Sequence, residues 1–416
     1  MTGPEKFKER RARLAEMMEG DYCIVVHAAS SKPTSADAAY PYTPSRNLYY
    51  LTGIKQENSC LMMWRLKGRG VKECLYISPY DEAHAKWFGT VLTKEEAQEK
   101  SGLDDIRFSG GEDAFLDRLV SRERLGRFCF DWHNCGLKGT PGKRLSYVNN
   151  FRSVYPGLDV QSISERIFTL RMIKDEEELS EIRAAVELTR RGFEVAAKAL
   201  KPGMNEREFE AELLYQWAKH GEKTPAFPAI IAGGSRATCL HYVSNDTELA
   251  DGELLLVDHG AMNNLYCADI TRTLPVNGRF TARQKDLMEM VLEIQNEAIE
   301  LLRPGILHRE WNDEVLEVYK AIMLRRGEIK DPEEISNFYY HGIGHHIGLD
   351  THDENASDVP IAPGMVFTVE PGFYSSEEGI GIRIEDDVLV GEKGNTILSE
   401  GFPRTPGEIE ALMAGL

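Results

Sequence analysis

Two aspartates and two glutamates stand where a lone charge would be poorly tolerated: Asp258 in "ELLLVDHG", Asp269 in "YCADITRT", Glu370 in "MVFTVEPG" and Glu385 in "GIGIRIEDD". Asn263-Asn264 lies between two β-rich runs, and asparagine accepts the positive φ values of a two-residue hairpin turn. A turn centred there makes Asp258 and Asp269 direct cross-strand partners, with Cβ atoms ~4.5–5.5 Å apart. Like charges at that distance destabilise a sheet unless something positive lies between them, and a metal ion is the natural candidate. Glu370 ends one strand and Glu385 lies in the next, where period two puts Arg383, Glu385 and Asp387 on one face. A carboxylate buried on a strand is expensive. Glu370 and Glu385 are therefore either surface groups or ligands, and the apolar neighbours Val366, Phe367 and Val369 favour burial for Glu370.

The stretch "HGIGHHIGLDTH", His341 to His352, holds four of the 11 histidines. His341 and His345 have the i, i+4 spacing of a metal-binding helix face. Gly342, Gly344 and Gly348 speak against a helix and for a bending loop that lets other groups come close to its backbone. Four carboxylates carry the charge that balances two divalent cations, and one neutral imidazole completes the coordination. Such oxygen-rich ligation suits manganese, cobalt or iron(II) better than a thiolate or three-histidine zinc site would, with zinc still open.

These residues need a scaffold, and 416 residues are more than one ordinary core, so two domains are expected. Buried-strand patterns ("DYCIVVHAA", "SCLMMWRL", "ECLYISP") alternate with helical ones ("TKEEAQEKSG", "EDAFLDRLVSRERLG"), which predicts an α/β domain over 1–165. From 170 to 416 the chain reads as α+β. Asp175 with Glu178 and Asn205 with Glu208 can cap two helices, the first burying Leu179, Ile182, Val186 and Phe193. One long helical region is expected from Ala282 to Arg326, and β-rich hairpins make up most of the remainder.

A net charge of −18 argues against a nucleic-acid partner held by its phosphates. No run approaches the ~20 apolar residues of a membrane span. The opening "EKFKERRARLAEMM" is an amphipathic helix with Phe7, Leu14 and Met18 on one face, rather than a signal peptide. Seven scattered cysteines without a CxxC pair suit reduced thiols, and together these features place the protein in the cytoplasm. "AGGSRA" lacks the full G-x-S-x-G of a serine hydrolase, and Cys267 is read as a packed residue.

In this order, "VDHG…ADITRT", "HGIGHHIGLDTH", "TVEPGFY" and "GIGIRIEDD" resemble the pita-bread-fold metallopeptidases. The likeness is greatest to the Xaa-Pro aminopeptidases (aminopeptidase P), with prolidase as near relative. "SADAAYPYTPSRNLYYLTG", Trp87 to Gly89 and "PGEIEALM" extend it over almost the whole chain. The resemblance implies an α/β amino-terminal domain serving oligomerisation and pocket closure, before an α+β pita-bread catalytic domain of the creatinase/aminopeptidase type. It implies two divalent metal ions, Mn2+ first, held by Asp258, Asp269, His345, Glu370 and Glu385, with Asp269 and Glu385 bridging. His341, His352 and Glu370 become catalytic candidates, and His241, Arg383 and Tyr374 substrate-lining ones. His259 and His346 depart from the family pattern; both are read as space-filling, although His346 stands beside His345 as a rival ligand.

The implied reaction is removal of the first residue from peptides with proline second, by a hydroxide bridging the two ions. The implied assembly is a homodimer or homotetramer, with Trp87 at a subunit boundary. Prolidase activity on Xaa-Pro dipeptides is the alternative. A metal-free creatinase-type enzyme and a non-enzymatic binding module would each be expected to lack some of the five ligands.

Overall fold

Apolar β-branched and aromatic runs separated by charged helices build the first unit of the chain around one sheet. The computed structural model describes residues 3–132, 142–222, 224–356 and 358–415; Cys135 lies outside them. Two units result, Met1–Arg171 and Met172–Leu416. The helix Ser164–Met172 spans the interval in which the division was expected.

In the first unit six strands, β1 (Tyr22–His27), β2 (Cys60–Arg65), β3 (Lys72–Ile77), β4 (Ile106–Phe108), β5 (Arg127–Phe130) and β6 (Asp159–Ser162), form a sheet of order β4-β3-β2-β1-β5-β6. β1 runs parallel to β5 and antiparallel to β2, so the sheet is mixed. Its core gathers Val25, Met62, Phe115, Phe128, Phe130 and Phe151. The opening helix, Glu5–Glu16, buries Phe7 and Leu14 as its pattern predicts, and also Arg10 and Arg11. Arg11 is tolerated because its guanidinium meets the carbonyls of Leu51 at 2.9 Å and Ser101 at 3.0 Å and the Glu73 carboxylate at 3.0 Å. The helix Glu82–Phe88 buries nothing in this unit and leaves Trp87 82% and Phe88 77% exposed.

The second unit carries β7 (Ile230–Gly233), β8 (Leu254–His259), β9 (Met262–Asn263), β10 (Tyr266–Cys267), β11 (Ile270–Pro275), β12 (Val366–Val369), β13 (Gly372–Ser375), β14 (Ile380–Arg383), β15 (Asp386–Leu389) and β16 (Thr396–Ile397). They pair as β11-β8-β7, β12-β15-β16, β13-β14 and the short ribbon β10-β9. Both expected capping boxes form, on the helices Glu176–Ala199 and Glu206–Lys219. The long helical region is two helices, Ala282–Leu301 and His308–Arg326. The cause is "RPG": Pro304 has no N–H to continue the ladder, and Gly305 takes φ +94°.

The hairpin differs from expectation by one residue. Tyr266 pairs with Asn263, so the turn is Asn264-Leu265, at φ 46° and 76°. Both asparagine side chains donate to the Glu181 carboxylate, which keeps Asn263 in the strand. Every partner moves by two, and Asp258 faces Thr271 instead of Asp269. Because side chains alternate with period two, that shift leaves Asp269 on the same face, now as a diagonal neighbour. Glu385 is displaced as well. It sits in the link between β14 and β15, which belong to different sheets, because two strands of four residues replace the single continuous one expected.

Between β8 and β9 the chain passes so near its partner that a Cβ on Gly260 would lie 1.8 Å from the Ala268 carbonyl oxygen. That obstacle is backbone and cannot rotate away. Gly260→Ala is expected to lower stability by about 3 kcal/mol or to prevent folding. Gly407→Ala, in a helix with open space around it, should be neutral or stabilising; urea titrations of the two variants compare them.

Candidate active site: an acidic cluster under a cleft

Five chain segments converge on a cavity of about 760 Å³ in the second unit. Asp258 comes from the end of β8, Asp269 from the residue before β11, Glu370 from just beyond β12, and Glu385 from the β14–β15 link. His345 comes from the glycine-rich segment, which forms no helix and runs against β12. Its N–H donates to Thr368 Oγ1 at 3.0 Å, and its carbonyl accepts from Thr368 N–H at 2.9 Å. A Cβ on Gly344 would lie 1.9 Å from the Thr368 carbonyl oxygen, so the approach depends on glycine.

The cluster is charged beyond what its own side chains neutralise. Potential ligand atoms of Asp269, His345 and Glu385 all lie within 4.8 Å of one another. His345 Nε2 is 3.5 Å from Asp269 Oδ2 and 3.6 Å from Glu370 Oε1. Its Nδ1 faces the His346 carbonyl at 3.0 Å. A carbonyl only accepts, so a neutral ring keeps its proton on Nδ1 and turns a lone pair toward two carboxylates. Burial, then mutual repulsion, raises Asp269 and Glu385 well above the carboxylate range; burial also raises Glu370. Asp258 Oδ1 is buried without a hydrogen-bond partner. Asp353, also at the cavity, is neutralised by Lys174 at 3.1 Å, and Arg383 is the only lysine or arginine among the described lining residues. One guanidinium cannot offset four carboxylates. The donor set, all oxygen apart from one imidazole, fits hard or borderline divalent cations.

A second layer holds these groups in place. Arg383 donates to Asp258 Oδ2, to the Tyr374 hydroxyl at 2.9 Å and to Thr271 Oγ1 at 3.2 Å. The Thr271 hydroxyl in turn donates to Glu385 Oε2 at 2.6 Å. Asp387 reaches in from β15 to accept the Asp269 N–H at 3.3 Å. His341 keeps its Nδ1 proton on the Gly342 carbonyl at 2.8 Å, so its Nε2 accepts from the Tyr374 hydroxyl at 2.8 Å. Burial and Arg383 push His341 down to about 3. His352 packs against His345 with centroids 4.1 Å apart and the rings tilted by 51°; burial, then His345 and His241, lower its pKa.

His241, His341, His352 and Arg383 line the same cavity, whose apolar side is built by Phe227, Pro228, Leu240 and Val243. Tyr374 is not on that wall. It is buried behind His341 and Arg383, whose polar atoms its hydroxyl satisfies. His346 packs on Phe367 with centroids 4.1 Å apart and is absent from the described lining, so its ring faces away from the carboxylates. His259 stacks among Trp217, Phe193 and Phe402 and donates Nδ1–H to the Ile270 carbonyl at 3.0 Å. Sequence reasoning missed the apolar lining residues Phe227, Pro228, Leu240 and Val243, and the hydroxyls of Thr271 and Thr368 behind the cluster. Thr271 was within reach, since period two from Asp269 puts it on the same face.

Residues 180–392 match the model of Metallopeptidase family M24. The chain belongs to metallopeptidase family M24. Residues 7–125 match the aminopeptidase P N-terminal domain. This M24 chain is 32% identical over 431 residues, 98% of its length and 97% of the relative's, to the Xaa-Pro aminopeptidase of Haemophilus influenzae. Among solved structures it is similar to a Bacillus anthracis chain described provisionally as an aminopeptidase P, at 35% identity and TM-score 0.96. It is also similar to Escherichia coli aminopeptidase P in its low-pH form, at 30% identity and TM-score 0.90. Each alignment covers 100% of this chain and 99% of the other. The expected fold, an α/β first domain before an α+β pita-bread catalytic domain, is borne out, and membership of the family implies bound divalent metal ions.

Carboxyl groups whose folded pKa lies above the unfolded value bind more protons in the folded state, so they stabilise at low pH and lose that contribution as pH rises through the folded pKa. Metal binding removes the same protons. The melting temperature of chelated M24 protein should therefore fall further below that of the metal-loaded form as pH rises above the ordinary carboxylate range. Parallel thermal scans with and without a chelator measure the gap; a pH-independent gap would rule out the repulsive cluster.

Proposed function

We propose that this chain is a Xaa-Pro aminopeptidase that removes the first residue from peptides with proline second, using two divalent metal ions. The observation that carries the reading is the set of four carboxylates, Asp258, Asp269 and Glu385 buried and Glu370 half-buried, around the His345 lone pair, offset by one guanidinium, in an M24 chain aligned end to end with Xaa-Pro aminopeptidases. Asp258, Asp269, His345, Glu370 and Glu385 would hold the ions, with Asp269 and Glu385 shared between the two, Asp258 serving one and His345 with Glu370 the other. The oxygen-rich set favours manganese, with cobalt, iron(II) and zinc as competitors. Bound there, the ions supply a water that is nucleophilic at neutral pH and a Lewis acid for the scissile carbonyl.

The protein's own groups manage the protons and the substrate. Glu370, whose carboxyl is raised by burial, takes the proton from the attacking water and delivers it to the departing nitrogen. That delivery matters because a prolyl nitrogen in a peptide bond carries no hydrogen. His352, disfavoured as an imidazolium, donates an N–H to the developing oxyanion as a neutral ring. His341 positions the substrate, with its ring held by Tyr374. His241 and Arg383 border the substrate, and Phe227, Pro228, Leu240 and Val243 offer the apolar surface a proline ring would contact.

The exposed Trp87 and Phe88 support assembly into a homodimer or homotetramer. The six described cysteines are all free thiols, which suits the cytoplasm.

Apo-protein reconstituted with manganese should cleave a Xaa-Pro-Yaa tripeptide, whereas turnover of a Xaa-Pro dipeptide alone would make it a prolidase. Asp269→Ala should lose metal retention and activity together, and a fully active variant would refute the bridging role. In sedimentation velocity, Trp87→Glu should shift the protein to a smaller species than the unaltered chain.

A further inference from the structure

The ladder between β12 and β15 ends at the pair Val369 and Asp386, one residue short of Glu370 on one strand and of Glu385 on the other. The peptide units that lead into the two glutamates therefore need partners from outside the sheet. Gln295, fully buried in the helix Ala282–Leu301, supplies them both. Its Nε2 donates to the Val369 carbonyl at 3.0 Å and to the Ile384 carbonyl at 3.1 Å, with Asp386 Oδ2 as a third acceptor at 2.9 Å. The orientation of the amide follows from its other end: Arg404 Nη2 lies 2.7 Å from Oε1, and a guanidinium can only donate.

The opposite sides of the same peptide units are also held. Glu370 N–H donates to the Ile343 carbonyl at 2.8 Å, and Glu385 N–H to the Thr271 carbonyl at 3.1 Å. Each glutamate thus extends from a peptide plane fixed at both edges, and one side-chain amide ties the two planes together. We infer that Gln295 is a positioning residue that sets the separation of the Glu370 and Glu385 carboxylates and, through it, the affinity of the site for its dication pair. The inference rests on the metal-centre reading above. It assigns Gln295 a function beyond joining helix to sheet, because both bonds end one atom group away from a ligand-bearing residue.

An internal control separates the two roles. Asn395 makes the same kind of double contact with this helix, donating Nδ2 to the carbonyls of Ile299 at 2.7 Å and Leu302 at 2.6 Å, but it leads to no carboxylate of the cluster. The full chain, stripped with a chelator, is titrated with manganese by calorimetry as the unaltered protein, Gln295→Met and Asn395→Leu, and each is melted. Gln295→Met keeps the length of the side chain and removes its donors; it should weaken manganese binding about 10- to 100-fold. Asn395→Leu should lose thermal stability but keep the original affinity. Unchanged affinity in Gln295→Met, or equal weakening in both variants, would overturn the inference. An unaltered protein that binds no manganese would remove the metal-centre reading itself. If Gln295→Met does not fold, Arg404→Met, at a part-buried side chain that also pairs with Asp386 at 3.2 Å, frees the same amide to turn; it should weaken binding in the same direction, and an unaltered affinity there counts against the proposal.

Discussion

Charge repulsion at one buried point governs this unit of the molecule. Asp258, Asp269, Glu370 and Glu385 are brought together from four separate segments and desolvated, an arrangement that an all-carboxylate cluster opposes with every unit of charge it keeps. Protonation is one relief, the direction in which burial pushes Asp269, Glu370 and Glu385. Cations are the other. The surroundings are built for the second: the Thr271 hydroxyl on Glu385, the Arg383 guanidinium on Asp258 and the Asp269 N–H on Asp387 fix the acids in place, and of these only Arg383 sets a charge against the four.

The same logic explains why Arg272 is buried. Its guanidinium meets Asp386 Oδ1 at 2.7 Å and the carbonyls of Thr271, Glu385 and Pro403 at 2.6–2.8 Å. One cation thereby neutralises the aspartate next to Glu385 and satisfies the backbone of the irregular link that carries Glu385. The buried Lys174–Asp353 pair does similar work beside His352, where Gly348 leaves room for it: a Cβ there would come within 2.5 Å of Asp353 Oδ2. Buried ions of this kind add little net stability, but removing one partner leaves the other charge stranded. They act as constraints on geometry.

Much of this could be read from residue order, and the limits have physical causes. Capping boxes are local, so Asp175–Glu178 and Asn205–Glu208 were legible to the residue. The carboxylate set was legible because charged residues inside β-patterned apolar runs are conspicuous. Turn register was not, since Asn263 and Asn264 tolerate the same φ and the contacts that hold the ribbon, Glu181 with both asparagines and Glu178 with Tyr266, come from a helix more than 80 residues earlier. The face survived the error because the correction was even. The burial of Arg11 leaves no mark in the local sequence, since the carbonyls that accept from it lie 40 and 90 residues away. Tyr374 was assigned to the wall by the resemblance, and residue order does not give the depth of its hydroxyl. Gln295 carries no signal at all, being one polar residue in a helix that has many.

The histidine-rich segment follows from the same hydrogen-bond accounting. Between residues 342 and 346 the backbone runs beside β12, bridged to it at His346–Phe367, and its carbonyls serve two sets of partners. Those of Ile343 and His345 accept from Glu370 N–H and Thr368 N–H at 2.8 and 2.9 Å. Those of Gly342, Gly344 and His346 face away from β12, and each meets an imidazole: His341 Nδ1 at 2.8 Å, His308 Nε2 at 2.8 Å and His345 Nδ1 at 3.0 Å. A neutral imidazole is well suited to that side, because one nitrogen closes the backbone while the other remains an acceptor in a defined direction. For His345 that direction is toward the carboxylates, and for His341 toward the Tyr374 hydroxyl. Gly344 allows the close approach to β12, and on the side it leaves open His341 and His345 join the Tyr339 hydroxyl on the Gly342 carbonyl and the Asp353 N–H on the His346 carbonyl.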